Sequence, residues 1–221
     1  MGVLQGHDHR NQCWRSSHAQ RRGLLLGGAA LIAGCAPSFL GRSPSEDGQP
    51  SSQIADAASS VSSQPTKTAE IIPDVPRDAI PPLDLPAYDL ASDVRWLRPS
   101  DLVVGFVWKH DARAYPARLM NFHEIVNDQI AGRDVVVTYC PLCRSGIAFD
   151  RWLPAEAAPD GEPLLLSFGN TGALYESAMV MYDRETDSDW YQVGGVAVRG
   201  PLAGSRLKAL SSRTTTWQEW R

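Results

Sequence analysis

Three consecutive valines, Val135-Val136-Val137, lie between Gly132 and Cys140 and predict a β-strand over residues 134–139. Similar short runs rich in β-branched and aromatic residues recur along the chain, separated by Gly, Pro, Asn or Asp. Short strands at close spacing with such turn residues are typical of antiparallel β structure. We therefore predict a mainly β fold with minor α, in which an antiparallel sheet or barrel-like arrangement forms a single domain. The other predicted strands cover residues 102–108, 112–115, 147–152, 164–168, 178–182 and 191–198.

Helix is predicted only in short pieces. Ser92 is a favourable N-cap for one helical turn over residues 92–96. A second helical turn is predicted over residues 118–124. Residues 125–130 are compatible with helix or strand, because the turn-forming pair Asn127-Asp128 interrupts their apolar pattern.

The N-terminal segment has the pattern of an export signal. Arg21 and Arg22 precede the uncharged apolar run GLLLGGAALIAG, which ends at Gly34. Because a helix needs about 20 apolar residues to span a bilayer, this shorter run predicts a secretory signal. The arginine pair resembles a twin-arginine signal, and the sequence Ile32-Ala33-Gly34-Cys35 resembles a bacterial lipobox. An uncleaved N-terminal anchor, with Cys35 present by chance, is the alternative.

These patterns divide the chain into three parts. Residues 1–34 are predicted to be a twin-arginine lipoprotein signal peptide. Residues 35–70 are predicted to be a disordered tether rich in Ser, Pro and Gln, and residues 71–221 to be the folded domain. We expect cleavage before Cys35 and lipid attachment to that cysteine, which would make a membrane the partner of the chain.

Such a protein would be exported and anchored in the cell envelope, facing the periplasm. Ala36, rather than Asp, follows the lipid-bearing cysteine and favours the outer membrane. The formal charge is −4 and the basic residues are scattered, so the sequence predicts no basic surface for nucleic acid and no nucleic-acid partner is expected. The sequence does not indicate a protein partner.

The segment TYCPLCRSG places Cys140 and Cys143 two residues apart, directly after the valine strand. If residues 1–34 are removed and Cys35 carries lipid, these are the only free thiols of the mature chain. Three chemistries use such a pair: a metal site, a thiol–disulfide redox couple and a structural disulfide.

A transition-metal site is the leading hypothesis. A tight Cys-Pro-Leu-Cys turn would direct both sulfurs inward and let backbone N–H groups stabilise the thiolates. Zinc takes four ligands and the chain has no second CxxC, so His123 is predicted as a third ligand beside an open position. Copper or iron would accept the same set. The expected role is metal handling or metal-dependent redox chemistry, and whether the domain is an enzyme stays open.

Two alternatives remain. In a thiol–disulfide oxidoreductase, Cys140 would attack and Cys143 would resolve the mixed disulfide. Residues 144–149 contain Gly and β-type residues, which argues against the long helix that follows this motif in thioredoxin-like proteins. In a binding module, the pair would form a structural disulfide, which an oxidising compartment would preserve, although a two-residue gap makes a strained ring.

Two further patterns partly resemble metal sites. His123 and Asn127 lie four residues apart in HEIVN, an incomplete form of the zinc motif HExxH. Asn is a poor zinc ligand, so a metalloprotease is not predicted, and a structural bond from His123 to a loop carbonyl is the alternative. The alternating acidic residues over 183–189 lack the central Gly and distal Glu of a calcium loop, which predicts a solvated turn.

The motifs AYPARLMNFHEIVND, VVVTYCPLC, LYESAMVMYDRETDSDWYQ, GPLAGSRL and TTTWQEW together resemble the family called domain of unknown function 3179, over about residues 78–221. The resemblance implies an exported prokaryotic domain with no established activity. Arg144 stands where this family often has Gly. We expect the polar signature residues to share one pocket with the cysteines, because buried polar clusters often mark function. The signature positions are His123, Glu124, Asn127, Asp128, Cys140, Pro141, Cys143, Tyr182, Asp183, Arg184, Thr186, Ser188, Trp190 and Gln192.

Overall fold

The computed structural model describes residues 1–5 and 70–221. The predictions for Arg21-Arg22, for Cys35 and for most of the tether concern residues between these two ranges and lie outside the described residues. None of the described helices is long and apolar enough to cross a membrane.

The described residues form short strands joined by turns, with two four-residue helices, α1 (Ala117–Met120) and α2 (Trp217–Trp220), and a 3₁₀ turn over Ala155–Ala157. The strands are β1 (Gly2–Leu4), β2 (Ile72–Pro73), β3 (Leu83–Asp84), β4 (Tyr88–Leu90), β5 (Leu102–Trp108), β6 (Asp111–Pro116), β7 (Ile125–Ile130), β8 (Arg133–Cys140), β9 (Ser145–Asp150), β10 (Trp152–Leu153), β11 (Leu164–Leu165), β12 (Phe168–Tyr175), β13 (Ala178–Asp183), β14 (Asp189–Tyr191), β15 (Val196–Arg199), β16 (Ala209–Leu210) and β17 (Ser212–Thr216).

Most of these strands belong to three five-stranded sheets. The order is β17-β5-β6-β1-β4 in the first sheet, β15-β14-β13-β12-β2 in the second sheet and β16-β9-β8-β7-β3 in the middle sheet. The strand pairs are antiparallel except β1 with β6 and β3 with β7. The predicted mainly β fold with minor α is confirmed, and among the described residues the sheets are open and do not close into a barrel.

The middle sheet is buried on both faces, and β8 shows how. Val136 and Cys140 belong to the core cluster shared with the second sheet, whereas Val135 and Val137 belong to the cluster shared with the first sheet. Successive side chains of a strand point to opposite faces, so a strand covered on both faces carries apolar residues at consecutive positions. The valine run is therefore continuous, and the same alternation directs Cys140 toward the second sheet.

Two local predictions are wrong. Residues 191–198 form two strands, β14 and β15, because Gly195 takes a left-handed φ of 59° and its N–H donates to the Tyr191 carbonyl at 2.8 Å. Residues 92–96 form no helix. Only a turn follows β4, in which the Asp93 N–H donates to the Leu90 carbonyl at 2.9 Å, because the preceding backbone is paired in the first sheet.

The motif HEIVN does not lie on a helix. Helix α1 ends at Met120, and Glu124 has a φ of 57°, which helical residues do not adopt. The chain then enters β7, where Ile125 pairs with Thr138. His123 and Asn127 therefore do not share a helix face, and the left-handed residue between them turns the chain into the middle sheet.

Residues 1–5, assigned above to the export signal, take part in the first sheet. Strand β1 pairs antiparallel with β4 and parallel with β6. Val3 and Leu4 are fully buried, each in a different core cluster. The segment that begins the signal-peptide pattern is thus also an internal strand of the domain.

Candidate thiol site

Cys140 and Cys143 lie at the turn of the β8–β9 hairpin. Cys140 ends β8 and pairs in register with Ser145, which begins β9. Arg144 takes a left-handed φ of 53° within this turn, a conformation that favours glycine. Both cysteines are free thiols. A hairpin turn, and not a helix, therefore presents the CxxC pair, as the β-type residues after the motif indicated.

The two thiols differ in exposure but contact each other. Cys140 is only 1% exposed and belongs to the core between the middle and second sheets. Cys143 is exposed at the tip of the hairpin. A hydrogen bond joins the two side chains. An approaching reagent therefore meets the sulfur of Cys143 first.

The surroundings of the two thiols move their pKa values in opposite directions. Burial raises the pKa of Cys140, although the backbone N–H groups of Cys143 and Met179 donate to its sulfur. Partial burial also opposes ionisation of Cys143, but hydrogen bonds from Ser145 and Cys140 outweigh it, and the pKa of Cys143 is lowered. Because the thiolate is the reactive form of cysteine, Cys143 is the better nucleophile of the pair.

A hydrogen-bond chain runs from Cys143 to the buried side chain of Gln192. Its sulfur lies 3.0 Å from the Ser145 hydroxyl oxygen. That hydroxyl donates to Oε1 of Gln192 at 3.1 Å, and Nε2 of Gln192 donates to the Thr138 hydroxyl at 2.9 Å. Gln192 is fully buried. The family signature included Gln192, but Ser145 and Thr138 were not predicted. The hydroxyl two residues after Cys143 was the available signal.

A cavity of about 140 Å³ lies beside Cys140. Its walls are mostly apolar, and its polar residues include Glu124 and Asn170. Nδ2 of Asn170 donates to Glu124 at 2.7 Å and to the sulfur of Met179 at 3.7 Å. Asn170 and Met179 were not predicted as site residues. Asn170 stands in the segment FGNTG, where an amide in a glycine-rich strand was the available signal.

Glu124 reaches this cavity because of its backbone. Its left-handed φ of 57° ends the α1 turn, and its carbonyl accepts from the Tyr139 N–H at 2.8 Å, beside Cys140. Burial raises the pKa of Glu124, and the hydrogen bond from Asn170 only partly offsets this. Of the signature residues, Glu124 and Pro141 line the cavity with Cys140.

The structure bonds His123 to a loop carbonyl. The residue is 4% exposed, and its Nδ1 donates to the Pro81 carbonyl at 2.9 Å. This is the bond to a loop carbonyl that the sequence left as the alternative. Within the described ranges, no group of three or more His, Cys, Asp or Glu side chains could hold a metal ion. The predicted ligand set of Cys140, Cys143 and His123 is therefore not assembled in this structure.

Asn127 and Asp128 join sheets to each other and do not line the cavity. Asn127 donates from Nδ2 to the Phe168 carbonyl at 2.9 Å and accepts from the Phe168 N–H at 2.9 Å, which ties β7 to β12. Asp128, on the other face of β7, accepts hydrogen bonds from residues of the first sheet. Its donors are Tyr88 at 2.5 Å, Tyr115 at 2.7 Å and Arg113 at 3.0 Å.

The acidic residues over 183–189 differ in exposure: Asp183 and Asp189 are buried, whereas Glu185 and Asp187 are exposed, so the prediction of a solvated turn is wrong at both ends of the stretch. Asp183 is fully buried and accepts from Thr186, Ser188 and the indole N–H of Trp190, the last at 2.8 Å. These bonds fold the residues after β13 back on themselves. Arg184 forms a surface ion pair with Asp84 at 3.0 Å.

The expectation of one shared pocket is therefore only partly met. Glu124, Pro141 and Gln192 lie around the thiols, whereas Asn127, Asp128 and Asp183 make structural contacts elsewhere: the first two join sheets, and Asp183 binds the residues of its own turn. Tyr182 also belongs to the second group, because its hydroxyl donates to Asp78 at 2.6 Å.

Comparison with known proteins gives one match. A family model described as "Protein of unknown function (DUF3179)" matches residues 77–221. No curated protein and no solved structure matches the chain.

Proposed function

This chain belongs to the DUF3179 family of proteins of unknown function, as its motifs predicted, and from that premise we propose that Cys140 and Cys143 form a thiol–disulfide exchange site. The observation that carries the proposal is the contact between an exposed free thiol and a buried one. An exposed sulfur can reach a disulfide of a partner protein. A buried sulfur next to it can then displace that partner.

The exchange runs in two steps. The Cys143 thiolate attacks one sulfur of the partner disulfide, which breaks that S–S bond and releases one partner thiolate. Cys140 then loses its proton and attacks the Cys143 sulfur, which forms the Cys140–Cys143 disulfide and releases the second partner thiolate. Both released thiolates take up protons, so two electrons pass from the protein dithiol to the partner disulfide. The reverse sequence oxidises a partner dithiol.

These roles reverse the order expected from the sequence. Cys140 is the first cysteine of the motif, as the attacking thiol is in thioredoxin-like proteins, but it is buried here. Without a helix after the motif, the chain stabilises a thiolate by other means. At Cys143 these are the Ser145 hydroxyl and nearby backbone N–H groups.

The proposal is tested in a background with Cys13→Ser and Cys35→Ser, so that Cys140 and Cys143 are the only thiols. The protein is mixed with a peptide that contains one internal disulfide, and products are identified by mass spectrometry. We expect the peptide dithiol together with an intramolecular protein disulfide. Cys140→Ser should accumulate the mixed disulfide, and Cys143→Ser should react far more slowly. No exchange by the folded protein would refute the function, and equal trapping by both variants would refute the assigned order.

A second candidate function is the binding of a soft metal ion such as Cu(I). The observation that favours it is Met179, whose thioether lines the cavity next to Cys140 and whose N–H donates to the Cys140 sulfur. Thiolates and thioethers are the ligands that select Cu(I). Cys140, Cys143 and Met179 would hold the ion, whereas a closed four-ligand zinc or iron site would need further donors.

Metal analysis separates the two candidates. If the metal proposal holds, the reduced protein retains one equivalent of Cu(I) against a competing chelator. Cys140→Ser and Cys143→Ser then lose the ion, Met179→Leu weakens its retention, and His123→Ala leaves it unchanged. Failure of the wild-type protein to retain any Cu(I) would refute this candidate and leave thiol exchange as the sole proposal.

A further inference from the structure

Strand β1, within residues 1–5, lies inside the first sheet. Val3 lies opposite Asp89 of β4 and opposite Ala114 of β6, so β1 has a neighbour on each side. Two backbone bonds extend the pairing: the Gln5 N–H donates to the Ala87 carbonyl at 3.1 Å, and the Ala91 N–H donates to the Met1 carbonyl at 3.2 Å. In the described part of the chain, β1 is the only strand that pairs with β4.

The side chains of this segment fill both faces of the sheet. Leu4 is fully buried in the core between the first and middle sheets, and Val3 is fully buried on the opposite face against Trp217. Gly2 lies against Tyr88, where a Cβ would come within 3.2 Å of the Tyr88 Cβ. Nε2 of Gln5 donates to Asp89 at 2.9 Å. The space between β4 and β6 thus accepts, in order along the strand, a small residue, two apolar residues and a side-chain hydrogen-bond donor.

The strands on either side of β1 are held at their spacing by contacts that do not involve it. Tyr88 on β4 and Tyr115 on β6 both donate to the carboxylate of Asp128, at 2.5 Å and 2.7 Å. Arg113 on β6 bonds the same carboxylate at 3.0 Å, and its guanidinium lies 4.2 Å from the centre of the Tyr88 ring. Asp128 belongs to the middle sheet. Asp128 of the middle sheet therefore holds β4 and β6 at a fixed separation without the help of β1.

We propose that the gap between β4 and β6 is a binding site for an extended peptide strand, and that residues 1–5 are its in-chain ligand. We call this gap the strand slot. The ligand is an extended peptide with a small residue, two apolar residues and a side-chain donor. Backbone pairing on both sides supplies affinity, and the two apolar pockets supply selectivity. Residues 6–69 connect the ligand to the domain, so a cut in that stretch separates the two parts covalently.

The predicted export cleavage would change what occupies the strand slot. Cleavage before Cys35 would sever the ligand from the domain, and the strand slot would then accept a strand of the same chemistry from another polypeptide. The site is independent of the thiol pair, so the two proposals stand or fall separately.

The test uses the full chain with Leu4→Asp and a fluorescent peptide of residues 1–6, Met-Gly-Val-Leu-Gln-Gly. A carboxylate at position 4 cannot be buried without a partner, so the in-chain segment leaves the slot. We expect the peptide to bind this variant at least about tenfold more tightly than it binds the wild-type chain, whose own segment competes. The same peptide with Leu→Asp is the matched control. If a folded variant binds both peptides equally, the proposal is wrong.

A second experiment does not depend on the folding of that variant. A protease site is placed within residues 6–69 of the wild-type chain, and the chain is cut after purification. We expect the N-terminal fragment to co-elute with the domain in gel filtration, and the same fragment with Val3→Asp to separate. Immediate separation of the wild-type fragment from a folded domain would refute the strand slot.

Discussion

The Ser145 hydroxyl lies 3.0 Å from the sulfur of Cys143, and this contact joins the exposed thiol to a buried amide network. Ser145 is held by Gln192, which no solvent reaches. The hydroxyl has a single proton, so it donates to the Cys143 thiolate by turning that proton away from Oε1 of Gln192, while the oxygen stays in place. The reactivity of the surface thiol thus depends on a residue of the second sheet.

Ser145→Ala is expected to raise the pKa of Cys143, because a hydrogen bond to a charged group contributes about 1.5–3 kcal/mol. Alkylation by iodoacetamide near pH 7 should slow by about tenfold or more, and its midpoint should move to higher pH. The rate is measured against pH in the Cys13→Ser, Cys35→Ser background. Ser145→Thr, which keeps the hydroxyl, is the control. An unchanged midpoint in the alanine variant would exclude this role.

Gln192→Ala should lower both stability and thiol reactivity. The change removes the acceptor of the half-buried Ser145 hydroxyl and the donor to the buried Thr138 hydroxyl. We expect a loss of about 1–3 kcal/mol in the free energy of unfolding, measured with urea. Val193→Ala, at the neighbouring exposed position, should change stability little. If Gln192→Ala destabilises the fold without slowing alkylation of Cys143, Gln192 has a structural role only.

Glu124→Gln should change how stability depends on pH. Burial raises the folded-state pKa of Glu124 above its ordinary value of 4.5, so the folded protein holds this proton more tightly than the unfolded chain. The contribution to stability is complete below that ordinary pKa and is lost as pH rises through the folded pKa. Gln stays neutral and can still accept from Asn170. The variant should therefore gain stability relative to wild type as pH rises above 4.5, by about 1.4 kcal/mol for each unit of pKa shift.

Urea unfolding at several pH values measures this effect, with Glu162→Gln at an exposed position as the control. Parallel pH profiles for wild type and Glu124→Gln would show that Glu124 ionises freely in the folded state.

Asp128→Asn should be strongly destabilising. The carboxylate accepts two tyrosine hydroxyls and pairs with Arg113, and its side chain is only 2% exposed. Removing one partner of a buried ion pair costs about 3–5 kcal/mol, and Arg113 keeps a longer contact with Asp111 at 3.3 Å, which favours the lower end. The exposed pair Arg77–Asp187 provides the comparison, since Asp187→Asn should cost less than about 1 kcal/mol. Equal losses in the free energy of unfolding for Asp128→Asn and Asp187→Asn, measured with urea, would contradict the burial of the Asp128 ion pair.

The export prediction is tested in cells that process lipoproteins. Radiolabelled palmitate should enter the wild-type protein, and Cys35→Ser should carry no label and remain as a longer precursor. Replacing Arg21 and Arg22 by lysine should retain the protein in the cytoplasm if the twin-arginine route is used. Label on the Cys35→Ser variant, or normal export of the lysine variant, would contradict the corresponding part of the prediction.

Local sequence chemistry predicted several of the longer strands, but not β17, β1 to β4, or β12 beyond its first residue. The predicted strand at 102–108 coincides with β5, and the valine run with most of β8, because β-branched residues between turn residues favour extended backbone wherever they lie. The break at Gly195 and the left-handed Glu124 were missed. The Gly195 turn is closed by a bond to the Tyr191 carbonyl, whereas the Glu124 carbonyl accepts from Tyr139 on β8, a contact that local propensity does not predict.

The sequence by itself determined the β class, the CxxC turn and the family, since these depend on residue types at short spacing. The tertiary structure alone decided which polar residues surround the thiols. Asn127 and Asp128 are adjacent in the chain yet bond different sheets, because consecutive side chains of β7 point to opposite faces. Gln192 lies far from Cys143 along the chain, and the packing of the second sheet on the middle sheet brings Ser145 within its reach. Such contacts across sheets depend on how the layers stack, which no local pattern encodes.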